Sequence, residues 1–320
     1  ARIGSRADAA SADVVLKVRR PTSTEINSYK TGAIVIAIID PYGHEAEIAE
    51  MASAGLTSFA MELMPRITRA QSMDVLSSQA NLAGYQAVID AAACYDRAIP
   101  MMMTAAGTVP AAKVFVMGAG VAGLQVIATA RRLGAVVSAT DVRPAAKEQV
   151  ASLGAKFIAV EDEEFKAAET TAGYAKPMSA EYQAKQAILV AEHIAKQDIV
   201  ITTALIPGRP APKLVSRDML KAMKPGSVAV DLAVERGGNC ELAKAGEVVV
   251  SDNGVKIVGN SDVRRLASTA SSLYARNLFA FVETLIDKKE KKLAVNWDDE
   301  LVKATLLTRD GAVVHPNFKG

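Results

Sequence analysis

Short runs of β-branched and apolar residues alternate along the chain with longer stretches whose apolar positions recur at helical spacing. In the first third, residues 14–18 and 33–39 are strand-length runs, 45–54 has helical spacing, and 56–61 is a further strand candidate. A short helix-like pattern at 7–12 leads directly into the first of these runs. Residues 79–97 are Ala-rich and free of proline, which predicts a long helix ended before Pro100. The middle repeats the alternation: strand 114–117, helix 121–133, strand 136–140, helix 145–153, a short strand at 156–160 and a strong helix at 179–196. Apolar runs at 199–202, 227–230 and 256–258 complete the strand series, and a helical stretch follows Asp262 to about residue 286. The mixed-charge run 287–292 reads as the solvated end of that helix. Strands that alternate with helices predict parallel sheets.

The strongest chemical signal lies where the strand 114–117 meets the helix 121–133: KVFVMGAGVAG, with Gly118, Gly120 and Gly123 at G-x-G-x-x-G spacing. A strand enters it, a helix leaves it, a second strand follows, and Asp141 ends that second strand. This is the context a dinucleotide-binding turn requires. Gly118 allows the tight turn, Gly120 lets backbone approach a pyrophosphate, and Gly123 lets the helix pack on the strand. The helix start at Val121 and Ala122 offers free N–H groups to the phosphates. Asp141 can accept hydrogen bonds from an adenosine ribose and would repel a 2′-phosphate, which favours NAD over NADP; Arg143, two residues on, could instead accept that phosphate.

With a length of 320 residues, two domains are expected. The fold class is α/β: two Rossmann-like parallel-sheet domains joined by two long helices. The first domain takes residues 1–78 plus 287–320, the linking helices take 79–99 and 262–286, and the NAD-binding domain takes 100–261. The tail after residue 292 is too short to be a domain and is assigned back to the first. Half of the residues are hydrophobic, enough for two cores. A net charge of +2 with 5% aromatic residues excludes a nucleic-acid surface. Cys94 and Cys240 are far apart and in no C-x-x-C, which fits a reducing compartment and no zinc site. No run reads as a signal peptide, and the apolar-looking stretch 111–130 has a Gly-rich turn at its centre, unlike a membrane span.

Three further segments are candidates. The loop MELMPRITRAQSMDVLSSQ gathers Arg66, Gln71, Asp74 and Ser77 after a strand, where open α/β sheets place ligands; a solvated loop and helix cap is the other account. Residues 161–178 are long for a connection and carry Gly173 and Tyr174; they read as a lid over a ligand or as a disordered loop. TTALIPGRPAP, with Ala204 and Leu205, follows a strand of the dinucleotide domain and reads as crevice lining or as a Pro-rich surface turn. Of the histidines His44, His193 and His315, none has a partner at metal-ligand spacing, and His193 is expected in solvent on a charged helix. No nucleophile elbow and no acid–base constellation is evident.

Taken together, MELMPRITRAQSMD, NLAGYQAVIDAA, MMMTAAGTVPAAKVFVMGAGVAGLQVIATARRLGA, TAGYAKPM, ITTALIPGRPAP and MKPGSVAVDLAVERGGN resemble one family over essentially the whole chain. It is the NAD(H)-binding component, domain I, of proton-translocating NAD(P) transhydrogenase, in its separate alpha-1 type subunit. A more distant resemblance is to alanine dehydrogenase. Family members begin well upstream, with a first strand and helix of the same domain, so the start at Ala1 implies a truncated first domain; 38–43 also departs from the family's pattern.

The resemblance implies direct, reversible hydride transfer between NADH held here and NADP+ held by a partner component, so no acid–base histidine is needed. It implies a membrane-spanning proton-channel component, a homodimer, and a peripheral position on the cytoplasmic face of the bacterial inner membrane. It assigns Arg66, Gln71 and Asp74 to a loop at the nicotinamide end that faces the partner, and Ser77 to the nicotinamide ribose and carboxamide. Tyr174 matches a mobile-loop tyrosine that folds onto the nucleotide, beside Gly173, and Ala204 and Leu205 match strand-end residues beside it. The alternative is an alanine dehydrogenase-like amino-acid oxidoreductase, which needs a His and a Lys in the first domain.

Overall fold

The structure is a computed structural model that describes residues 3–168, 178–206 and 208–319. The chain divides into two compact units, 1–79 with 268–320 and 80–267.

The first unit opens with β1 (Val14–Arg19), β2 (Ile34–Ile38) and β3 (Thr57–Ala60), which pair in parallel. In the second unit follow β4 (Lys113–Met117), β5 (Val136–Thr140), β6 (Lys156–Phe157), β7 (Ile199–Thr202), β8 (Val228–Asp231), β9 (Val248–Val250) and β10 (Lys256–Val258). The tail adds β11 (Leu306–Arg309) and β12 (Ala312–Val313). The sheet orders are β1-β2-β3-β11-β12 and β9-β10-β8-β7-β4-β5-β6.

Period-two alternation explains why the central strands read as unbroken apolar runs. Val114 and Val116 enter one core with Val126, Ile127 and Ala130 of the helix Val121–Arg132. Phe115 and Met117 enter the opposite core with Val190 and Ile194 of the helix Ala180–Ile194. A parallel strand covered on both faces has no polar side to show. The same division holds in the first unit, where Ile34 and Ile36 face Phe59 and Phe281 while Val35 and Ala37 face Ile48 and Met51.

The α/β class is as expected, with four corrections of detail. First, both sheets carry antiparallel edges: β9 against β10, β11 against β3, and β12 against β11. In β9, Val248 and Val250 are exposed and only Val249 packs on the core, and the turn back to β10 is made at Asn253-Gly254, with Gly254 at φ +81°. Second, the first long helix spans Val75–Cys94, beginning earlier than the Ala-rich run, because Asp74 accepts the Ser77 N–H at 2.9 Å and so caps it. Third, the second long helix ends at Thr284, and the charged run is a two-stranded ribbon, Ile286–Asp287 with Lys292–Leu293. Asp287 Oδ1 accepts the Lys289 and Glu290 N–H groups at 2.8 and 3.0 Å, a local turn that competes with helix.

The fourth correction is His193. It is half-buried, with Nε2 2.8 Å from the Ser138 hydroxyl and its ring edge-on to Phe115 at 4.7 Å. The helix carrying it turns this face to the sheet, and desolvation holds the imidazole below its ordinary pKa. Within the segment 161–178, Glu163–Lys166 forms a short helix capped by Asp162. Gly173, Tyr174 and Pro207 lie outside the described residues.

Candidate functional site

The Gly-rich turn sits at the carboxyl end of β4, in the second unit. Gly118 has φ +106°, and a Cβ there would lie 2.6 Å from the Thr203 hydroxyl. That hydroxyl donates to the Gly118 carbonyl at 3.1 Å, tying the turn to the end of β7. A Cβ on Gly123 would lie 1.8 Å from the Gly118 carbonyl oxygen, so only glycine lets the helix start this close. A Cβ on Gly120 would meet nothing within 4 Å. Two glycines are thus demanded by the protein itself, and the third keeps space open in front of the helix.

Gly120 is also the N-cap of the helix Val121–Arg132, and no side chain caps it. The first N–H groups of an α-helix have no partner within the helix, and they favour an anion together with the helix dipole. A second close approach supports this turn from behind: a Cβ on Gly84 would lie 2.2 Å from the Ala122 carbonyl oxygen. Gly84 belongs to the NLAGYQ segment, and its role emerges only from the fold.

Asp141 follows β5 and turns its carboxylate back to the turn. Oδ2 accepts the Ala119 N–H at 2.7 Å, and Oδ1 accepts the Arg143 N–H at 2.9 Å. The Arg143 guanidinium grips both oxygens, with Nε 2.8 Å from Oδ1 and Nη2 3.1 Å from Oδ2. Nη2 also donates to the Ala119 carbonyl at 3.2 Å. The hydrogen-bonded carboxylate holds the Arg143 guanidinium above its ordinary pKa.

Ala204 and Leu205 continue from β7. The buried Asn239 pins this segment: its Oδ1 accepts the Ala204 N–H at 3.1 Å, and its Nδ2 donates to the Ala204 and Pro212 carbonyls at 2.9 and 2.8 Å. Asp231, at the end of β8, accepts the Ala233 and Cys240 N–H groups, both at 2.8 Å, and thereby shapes the loop that presents Asn239. Thr203 and Asn239 are not among the site residues expected from the sequence. The GGN triplet 237–239 after an apolar strand is the only local signal for the second. Burial pushes the Cys240 thiol up to about 11, which removes it as a nucleophile near neutral pH.

The loop 66–77 belongs to the first unit, and its backbone is held firmly. Asn277 donates to the Ser72 carbonyl and accepts from the Ser78 hydroxyl, both at 2.8 Å. Arg69 makes a bidentate pair with Asp299, both contacts at 2.7 Å. Asp74 accepts from both the N–H and the hydroxyl of Ser77. By contrast Arg66 and Gln71 are exposed, and neither side chain has a hydrogen-bond or ion-pair partner among the described residues.

Among the described residues, no helix is long and apolar enough to cross a membrane. The chain matches the family described as "Alanine dehydrogenase/PNT, C-terminal domain" over residues 87–316, and its N-terminal counterpart over residues 1–83. It is 56% identical over 315 residues to the first part of NAD(P) transhydrogenase subunit alpha from Rhodospirillum rubrum, covering 97% of this chain and 82% of that protein. It is similar to the crystal structure of transhydrogenase from Sinorhizobium meliloti, with 71% identity, a TM-score of 0.89, and coverage of 98% of this chain and 84% of that one. An alanine dehydrogenase of Halomonas elongata is 27% identical over 312 residues, covering 95% of this chain and 77% of that protein. A helix start that no side chain caps, behind a glycine turn, suits a dinucleotide-binding domain, and the chain belongs to the alanine dehydrogenase/PNT family, as a transhydrogenase alpha-subunit component.

Proposed function

We propose that this chain holds NAD(H) for direct, reversible hydride exchange with NADP(H) carried by a separate component of the complex. The observation that carries the reading is the turn at 118–123. Space is left in front of Gly120 while Gly118 and Gly123 admit no side chain. With Val121 and Ala122 at the helix start, this turn would hold the pyrophosphate, and Asp141 the adenosine ribose. Ala204 and Leu205 would flank the nucleotide, and Gly173 and Tyr174 would fold onto it. When bound, the nicotinamide supplies or accepts a hydride at C4.

No protein group need gain or lose a proton in that exchange, so the chain's task is alignment of the two rings. Ser77 would take the carboxamide and ribose at the nicotinamide end. Arg66, Gln71 and Asp74 would act beside it and meet the partner. The support is that the loop backbone is anchored while Arg66 and Gln71 have uncommitted donors and acceptors. A Gln amide both donates and accepts, so it can serve either redox state of the pair.

In the complex, a membrane-spanning component would couple the exchange to proton translocation, with this chain peripheral on the cytoplasmic face. A homodimer is supported by the resemblance and by the Met101–Met103 run, whose residues are 56%, 42% and 78% exposed. The test is to mix the chain with an NADP(H)-binding transhydrogenase component and follow transfer between NADPH and an NAD analogue. Transfer with the component and none without it is the expected result. Oxidation of alanine with NAD by the chain alone would overturn the reading.

A further inference from the structure

All the acceptor positions of the Asp141 carboxylate are taken by donors of the chain itself. A carboxylate offers about four lone-pair positions, two on each oxygen. Here Oδ1 receives the Arg143 backbone N–H and Nε, and Oδ2 receives the Ala119 N–H and Arg143 Nη2. The Asp141 side chain is 7% exposed and that of Arg143 is 33% exposed, so the guanidinium lies on the open side of the carboxylate. The two backbone donors are fixed by the turn and cannot leave. The two guanidinium donors sit on a side chain one-third exposed, whose departure would also give up the Nη2 bond to the Ala119 carbonyl at 3.2 Å.

We propose that Arg143 is the internal competitor for Asp141 and that this competition sets how sharply the site separates NAD(H) from NADP(H). The proposal rests on the NAD(H)-binding reading above. An adenosine ribose brings two vicinal hydroxyls, each able to donate one hydrogen bond. They reach the carboxylate only by taking the two positions that Arg143 Nε and Nη2 occupy. Binding therefore exchanges a charge-assisted fork for two neutral donors, which lowers affinity for NADH below what Asp141 alone would give.

The same residue works in the opposite sense on a 2′-phosphate. Asp141 by itself would repel it, but the pair with Arg143 is locally neutral. A guanidinium displaced from the carboxylate stays beside the ribose, with donors suited to a phosphate. Arg143 thus weakens the preferred nucleotide and softens rejection of the other. Neither effect follows from Asp141 at the end of β5, the feature by which such sites are read.

The experiment is equilibrium titration of the full chain with NADH and with NADPH, in the absence of any partner, so that no turnover enters. Arg143→Met keeps most of the aliphatic length and removes both charge and fork. It should bind NADH at least as tightly as the parent and NADPH more weakly, raising the preference about tenfold, the scale of one charge-assisted contact. Arg143→Lys keeps the charge without the planar fork. It should bind NADH more tightly than the parent while leaving the preference near the parental value. Thermal unfolding of each variant checks that the turn remains intact.

A Met variant that folds but binds NADH tenfold more weakly would show that the guanidinium holds the nucleotide, and the proposal fails. An unchanged preference in Met and unchanged NADH affinity in Lys would overturn it equally. A parent chain that binds neither nucleotide would instead defeat the NAD(H)-binding reading itself.

Discussion

The glycine turn at 118–123 and the loop at 66–77 differ in what has been left unfinished. In the turn, backbone sterics decide almost everything: Gly118 and Gly123 are hemmed in at 2.6 and 1.8 Å, and Asp141 has every acceptor position used. In the loop, the backbone is anchored by Asn277, Arg69 and Asp74, yet Arg66 and Gln71 have no side-chain partner among the described residues. One region leaves its backbone little freedom and its carboxylate no spare acceptor. The other presents a fixed backbone with free side chains, which suits contacts completed only when another molecule arrives.

The contrast is broken most severely at the turn. Gly123→Ala puts a methyl group into the Gly118 carbonyl, so β4 and its helix must part. Overpacking of this kind costs about 3 kcal/mol at its upper range. Calorimetry should show that loss, and NADH titration should show no measurable binding. Gly120→Ala sharpens the point, because its Cβ meets nothing. That variant should unfold like the parent and bind NADH poorly; normal binding would mean the open space is not where the pyrophosphate goes.

Gln71→Asn tests the loop. Shortening the side chain by one methylene shifts its donor and acceptor by about 1 Å, a misplacement that can cost on the order of 100-fold in rate. Single-turnover transfer in the reconstituted complex should fall by that order while NADH affinity stays level. A parental rate would remove Gln71 from the mechanism. Asp74→Ala should have a smaller effect on stability than Gly123→Ala, because it removes only the N-cap of Val75–Cys94. Loss of the cap costs about 1 kcal/mol, readable in denaturant unfolding without any nucleotide.

The smallest effect concerns His193, in the second unit. Desolvation lowers its pKa in the folded chain below the ordinary value. The unfolded chain therefore binds the extra proton first as pH falls, and stability declines below about pH 6.5. His193→Gln should flatten the unfolding midpoint between pH 7 and pH 5 relative to the parent. An identical pH profile would show that burial does not hold the imidazole neutral.

The G-x-G-x-x-G turn, the carboxylate at Asp141 and the strand–helix alternation are legible in the sequence because each depends on neighbours close along the chain. The start of the first long helix is not, because the cap at Asp74 is hidden in a polar run that also looks like a loop. The charged ribbon after Thr284 reads as helix, because mixed charge is compatible with either state and only the turn at Asp287 decides. A lone histidine among charges, as at position 193, gives no sign of which helix face meets the sheet. Thr203 and Asn239 hold the site through contacts with Gly118 and Ala204, the first 85 and the second 35 positions away.

The sequence by itself determined the α/β class, the dinucleotide turn and the family, because those rest on local spacing and on motifs that survive as strings. Only the tertiary structure decided that Gly84 backs the turn, that Asn277 and Arg69 anchor the loop, and that Arg143 already occupies the carboxylate. The physical reason is common to all three. Steric exclusion and saturation of lone pairs are properties of atoms brought within a few ångströms, and no one-dimensional pattern records which distant atoms those are.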